Sequence, residues 1–176
     1  MRLALAAAAM ALTTVSGQAQ LEPIDPSCAP LVGTFLTTKS EDANAENGQP
    51  GRSLIALTIG GQAFMSDSAQ GGGGPFQGFT TARGAWICSG DEDGQLAFRA
   101  VMVDFTFPAE KLPVAMVVRV ETVGTVDPET LLIEGGTTVS FFPLAGNPLG
   151  DDEPESSLKY TFSGQKVVVG KALQQN

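Results

Sequence analysis

The sequence has no histidine. Its 176 residues also include only one tryptophan, one tyrosine and two cysteines. Without histidine the chain cannot form a Ser-His-Asp or Cys-His nucleophile, a histidine general base near neutral pH or a histidine-ligated metal. We therefore expect no catalytic nucleophile of these kinds, no metal and no cofactor. Any acid–base chemistry would depend on carboxylates, lysines and the single tyrosine.

Positive charge is scarce as well. Ten Lys and Arg residues stand against 19 Asp and Glu residues, which gives a formal net charge of −9. A chain this acidic is poorly suited to bind nucleic acid or an anionic lipid surface. The 43% hydrophobic content and the 16% charged content predict a folded protein. The length fits one domain.

No hydrophobic run is long enough to form a transmembrane helix, and we expect no membrane insertion. The apolar run 3–12 follows Arg2, and Gly17 and Ala19 provide small residues at positions −3 and −1 of a cleavage site. This pattern predicts a signal peptide over 1–19 and a mature domain over 20–176. The short, alanine-rich segment is of a bacterial type, so we expect a periplasmic or secreted protein.

The two cysteines are Cys28 and Cys88, and both lie in the predicted mature domain. In an oxidising compartment an isolated pair usually forms a disulfide. This one would close a loop of roughly 60 residues and contribute about 4 kcal/mol to stability.

Alternation of apolar and polar residues dominates the remaining sequence. Eight segments are predicted to be strands: 31–38, 52–59, 62–68, 83–88, 95–107, 114–126, 131–144 and 158–169. Gly60-Gly61 indicates a tight hairpin, and the acidic segment 90–94 is predicted to be a turn. Strands joined by short turns favour an eight-stranded antiparallel up-and-down barrel over a sandwich.

The predicted fifth strand is apolar on both faces. Leu96, Phe98, Ala100 and Met102 share one face, which Asp104 continues, and the sixth strand is also apolar on both faces. Strands of this kind are covered on both sides. Since a lone barrel exposes its outer face, either a loop or tail packs on it or a second subunit does. A homo-oligomer is therefore one of the expectations.

Gly33-Thr34-Phe35 opens the first predicted strand. Together with the meander of strands, it resembles the glycine-x-aromatic start of calycin-type barrels such as lipocalins, fatty-acid-binding proteins and avidins, with Phe35 in place of the usual tryptophan. The resemblance implies a calycin-like barrel in which this aromatic residue closes one end. An arginine packed on it would complete the pattern, and Arg99 and Arg119 are the candidates.

A second resemblance concerns only the eight-strand outline, which is similar to that of the dirigent and allene oxide cyclase barrels. It implies an enzyme that steers the cyclisation or isomerisation of an apolar substrate. The calycin-type resemblance instead implies binding of a small apolar or amphipathic molecule, the function we expect first. A structural or interaction module that uses the outer apolar faces is a third possibility.

The predicted ligand-binding residues are Phe35, Phe98, Met102, Asp104 and Tyr160. Asp104 and Asp67 each interrupt an apolar alternation. If their face is the lumen, these two carboxylates would form a polar site with Arg99, Arg119 or Tyr160, and burial would raise their pKa. The alternative is that both lie in water near strand ends. The glycine-rich segment 69–78 is predicted to be a loop at the barrel mouth that could act as a lid.

Overall fold

The computed structural model describes residues 24–40, 50–72, 77–92 and 94–169, with only the backbone for 89–92. The predicted signal peptide over 1–19 and the centre of the glycine-rich segment, 73–76, lie outside the described residues.

Eight strands form one closed antiparallel barrel in chain order, in which the first strand pairs with the last. The strands are β1 (Gly33–Lys39), β2 (Arg52–Leu57), β3 (Gln62–Asp67), β4 (Ala82–Glu92), β5 (Gln95–Phe105), β6 (Met116–Val126), β7 (Leu132–Pro143) and β8 (Ser156–Lys166). The predicted all-β, up-and-down barrel is confirmed.

The predicted acidic turn at 90–94 is wrong in extent. The register of β4 against β5 shifts at a bulge between Cys88 and Gly90, and pairing then continues to the pair Glu92 and Gln95. Because the bulge absorbs one extra residue, the acidic segment becomes the end of a strand.

The burial pattern of β5 identifies the inside of the barrel. Its buried residues alternate with half-buried and exposed ones. The buried set consists of Leu96, Phe98, Ala100, Met102 and Asp104. Paired residues of neighbouring strands point to the same side of a sheet. The register therefore extends the luminal face from β5 to each of the remaining seven strands.

One end of the barrel is closed. The short turns 58–61 and 127–131 and the residue Gly94 lie there, together with an N-terminal 3₁₀ helix over Pro26–Leu31. Leu31 is completely buried in the core, and the predicted disulfide joins Cys28 of this helix to Cys88 of β4 with a Cα–Cα distance of 6.3 Å. The helix is thus held against the barrel by a covalent bond and by apolar packing.

At the opposite end lie the described parts of the longer connections: Ser40, 50–51, 68–72, 77–81, 106–115 and 144–155. Two of them are tied together by the buried Gln77, whose side-chain amide donates to the carbonyls of Leu112 at 2.6 Å and Val114 at 2.9 Å. Phe79 also forms a β-bridge with Thr106. We call this the open end.

A segment also packs on the outside of the barrel. Val117 and Phe142 pair across β6 and β7 on the outer face, yet they are only 5% and 0% exposed. Residues 144–155, which we call the outer strap, lie against this face: Arg119 donates from Nη1 to the carbonyl of Pro148 at 3.0 Å and lies over the Phe142 ring. The expectation that a loop covers an outer apolar face is confirmed here, while the homo-oligomer stays a prediction.

Candidate functional site

The luminal side chains of the closed half form a packed apolar core. Those that are at most 2% exposed include Phe35, Ile55, Leu57, Phe98, Val126 and Ile133. The aromatic rings need neighbouring glycines: a Cβ atom on Gly124 would lie 2.9 Å from Cε1 of Phe98. Two of the predicted ligand-binding residues, Phe35 and Phe98, therefore belong to this filled half, remote from the open end.

Three threonines mark the change from the closed half to the open half. Thr37, Thr122 and Thr137 are at most 2% exposed. The hydroxyls of Thr122 and Thr137 lie 3.2 Å apart, and that of Thr37 donates to the carbonyl of Ser53 at 3.2 Å. The hydroxyls are thus satisfied within the wall, as buried polar groups normally are.

Beyond the threonines the lumen becomes charged. Five residues, which we call the luminal polar site, lie on the inner face toward the open end. Lys39, Ser53, Asp67 and Asp104 lie near the ends of their strands, and Tyr160 lies further inside β8, where it pairs with Thr137. The hypothesis that Asp67, Asp104 and Tyr160 face the lumen is confirmed by their register. Sequence reasoning missed Lys39 and Ser53, although both continue the alternation that places Phe35 and Ile55 inside.

Asp67 is fully satisfied. Its carboxylate forms an ion pair with Nζ of Lys39 and accepts from the Ser53 hydroxyl at 2.8 Å and from the backbone N–H of Ala69 at 2.9 Å. The Asp67 side chain is 2% exposed. Lys39 also lies over the ring of Tyr160, with Nζ 4.6 Å from the ring centroid, so the ammonium group connects the carboxylate to the aromatic ring.

Asp104 has a different environment. The residue is 5% exposed, and within the described part of the chain its Oδ1 atom has no hydrogen-bond partner. Its neighbours on the luminal face are Met102 of β5 and Val118 of β6, both apolar. Burial raises the pKa of Asp104 to about 7, because an apolar environment disfavours the charged form. Near neutral pH the group can therefore gain or lose a proton.

Tyr160 remains protonated. Burial, together with the negative charges of Asp67 and Asp104, raises the pKa of its phenol above the usual range. A protonated phenol can donate one hydrogen bond and accept others. Its hydroxyl group therefore adds a neutral polar function beside the two carboxylates.

The open end also has an apolar rim. Val139 and Phe141 of β7 and Leu158 of β8 carry the luminal face to the mouth, and Leu158 is 41% exposed. Leu158 and Tyr160 are successive luminal residues of β8, so the rim adjoins the luminal polar site. The mouth therefore combines accessible apolar side chains with buried polar groups.

Arg99 and Arg119 do not belong to the lumen. Both bind Glu121 on the outer face, with nitrogen–oxygen distances of 3.1 Å and 3.3 Å, because they alternate with luminal residues. The expectation that one of them packs on the aromatic residue of the first strand is wrong.

The cation on that aromatic ring is Lys166. Its Nζ lies 5.8 Å from the centroid of Phe35 and donates to the carbonyl of Pro30 in the 3₁₀ helix at 2.9 Å. Burial lowers the pKa of this ammonium group. Lys166 reaches the ring because β8 closes the barrel against β1, where Phe35 and Lys166 are register partners.

No family model, curated protein or solved structure matches the chain. In the part of the chain that the structure describes, no helix is both long and apolar enough to cross a bilayer. The function must therefore be argued from the geometry of the barrel itself.

Proposed function

We propose that the protein binds a small amphipathic molecule at the open end of the barrel. The apolar part of the ligand would contact the rim formed by Val139, Phe141 and Leu158, and its polar part would reach the luminal polar site. The observation that carries the proposal is Asp104, a buried carboxylate beside an accessible apolar rim, whose Oδ1 has no hydrogen-bond partner among the described residues. Buried polar groups are nearly always satisfied, so an unsatisfied one at a mouth suggests a partner from outside.

The proposal concerns only the open half of the lumen. Asp104 and Tyr160 would contact the ligand, and Met102, which is completely buried, would form part of the floor. Phe35 and Phe98 would support the closed half. An eight-stranded barrel has room for side chains or for one small ligand.

The resemblance to calycin-like barrels supports this proposal. The barrel is closed at one end by a short helix and carries its longer connections at the other, an arrangement that suits a molecule entering from one side. We also propose that the protein is periplasmic or secreted, since its disulfide is compatible with an oxidising compartment.

Titration of isotopically labelled protein with 1-octanol, followed by NMR, tests the proposal. We expect saturable shifts at the luminal positions of 102–104, 116–118 and 156–160, and none around the disulfide. Two leucines of similar exposure provide a matched pair: Leu158 at the rim, 41% exposed, and Leu54 on the outer face, 44% exposed. L158D should weaken octanol binding by about tenfold, and L54D should leave it unchanged.

Three results would contradict the proposal. One is the absence of saturable shifts, and another is a set of shifts centred on the outer face. The third is an equal loss of octanol binding in L158D and L54D, which would indicate non-specific adsorption.

A further inference from the structure

We propose that the polar end of the ligand is a cationic amine, which pairs with the Asp104 carboxylate inside the barrel. This inference rests on the proposed function and specifies its ligand class. It is drawn from the contrast between the two luminal carboxylates.

Asp67 and Asp104 lie at the same end of the lumen, but their carboxylates differ in the partners that surround them. The chain supplies Asp67 with an ammonium group, a hydroxyl and a backbone N–H, whereas Oδ1 of Asp104 receives nothing from the described residues. Among those residues the only luminal cations are Lys39, which is engaged by Asp67, and Lys166, which lies at the closed end. The described part of the chain therefore places no cation on Asp104.

An ammonium group complements the Asp104 carboxylate in charge and in hydrogen bonding. It supplies the missing positive charge and up to three N–H donors, and a charged carboxylate buried without a counterion is strongly disfavoured. A hydroxyl offers one neutral donor. An anionic ligand would be repelled by Asp104, and the net charge of −9 attracts cations to the molecule as a whole.

Pairing requires the ionised form of Asp104. The charged or titratable groups that face it are the ion pair of Lys39 and Asp67 and the phenol of Tyr160. On β6 the register partner is the apolar Val118, and the nearest luminal residue of β4 is Ala82. Because burial raises the pKa of Asp104 to about 7, amine affinity should rise by about tenfold per pH unit up to about pH 7 and then level off.

Calorimetric titration with n-octylammonium and with 1-octanol tests the inference. The wild type is measured at about pH 5.5 and pH 8, which bracket the Asp104 titration. It is compared with D104N and with the control variant E134Q, because Glu134 is exposed on the outer face. At the higher pH we expect n-octylammonium to bind at least about tenfold more tightly than 1-octanol. This preference should disappear in D104N and persist in E134Q.

The outcomes separate the two proposals. If 1-octanol binds and n-octylammonium binds no more tightly at either pH, the amine inference is wrong while the proposed function stands. If neither compound binds, both are wrong. If D104N still binds 1-octanol, the binding site of the variant is intact and its affinity for n-octylammonium can be interpreted. If D104N no longer binds 1-octanol, the amine inference is tested by the wild type alone: it is supported if the affinity for n-octylammonium rises between the two pH values and contradicted if it does not.

Discussion

At the residue scale, Asp104 is held in an environment that favours its neutral form. Its usual pKa of 3.8 is raised to about 7 by burial alone. Between these two values the folded protein binds more protons than the unfolded chain, so folding becomes less favourable as the pH rises. Asp104 therefore does not lower the free energy of unfolding below about pH 4. Above about pH 7 it lowers this free energy by an amount on the order of 4 kcal/mol.

Replacing Asp104 with asparagine should remove this dependence. The unfolding free energy of D104N relative to wild type should increase across the window from about pH 4 to 7, because only the wild type loses stability there through this group. Urea denaturation at several pH values measures the difference. Parallel pH profiles of the two proteins would show that Asp104 is not buried as described.

The site was predictable where a polar residue interrupts an apolar alternation. For this reason Asp67 and Asp104 could each be placed on one face of its own strand, and Tyr160 shares a face with its apolar neighbours. Only the register shows that these three faces are the inside of the barrel. Lys39 and Ser53 could not be predicted in this way, because polar residues at strand ends usually face water and only the register shows their carboxylate partner. Lys166 was also missed, since its contact with the first strand depends on barrel closure.

At the scale of elements, the outer strap turns part of the outer face into a second small core. Phe142 pairs with Val117 outside the barrel and is completely buried. The sequence indicated that β6 is apolar on both faces but not which element covers it. The strap is acidic and contains prolines, so nothing in its composition indicated packing against an aromatic ring.

This second core gives a prediction. F142A should lower the unfolding free energy by about 3 kcal/mol, the cost of emptying a buried aromatic site. V123A is the control, because Val123 lies on the same outer face but is 52% exposed, and its change should stay within about 0.5 kcal/mol. Chemical denaturation provides both values, and similar small changes in the two variants would mean that the strap does not bury Phe142.

At the scale of the whole molecule, the closure of the barrel brings β1 and β8 together. Phe35 pairs with Lys166, and the N–H of Val167 donates to the carbonyl of Thr34 at 2.7 Å. The succession of hairpins could be predicted from alternation and turn residues. The pairing of β1 with β8 followed only from the choice of a barrel over a sandwich, since no local signal encodes a contact across so many residues.

A circular permutant tests this adjacency. Joining residue 169 to residue 26 through a short linker and opening the chain in the 127–131 turn should preserve a cooperatively unfolding barrel, because every strand pair is kept. A permutant opened between Val120 and Glu121, inside β6, should not fold, since it divides a central strand. Near-UV circular dichroism and thermal unfolding distinguish the two. Loss of structure in the first permutant would contradict the closure.

The pairing of the first strand with the last also determines when synthesis can complete the protein. Until β8 leaves the ribosome, β1 has a partner on one side only, and its other edge is open to any extended chain nearby. Cys28 and Cys88, by contrast, both lie in the first half of the chain, so once in an oxidising compartment they can pair before β8 is in place. The disulfide that holds the 3₁₀ helix can therefore form before the barrel closes. A product truncated before β8 would keep the disulfide but expose the unpaired edges of β1 and β7.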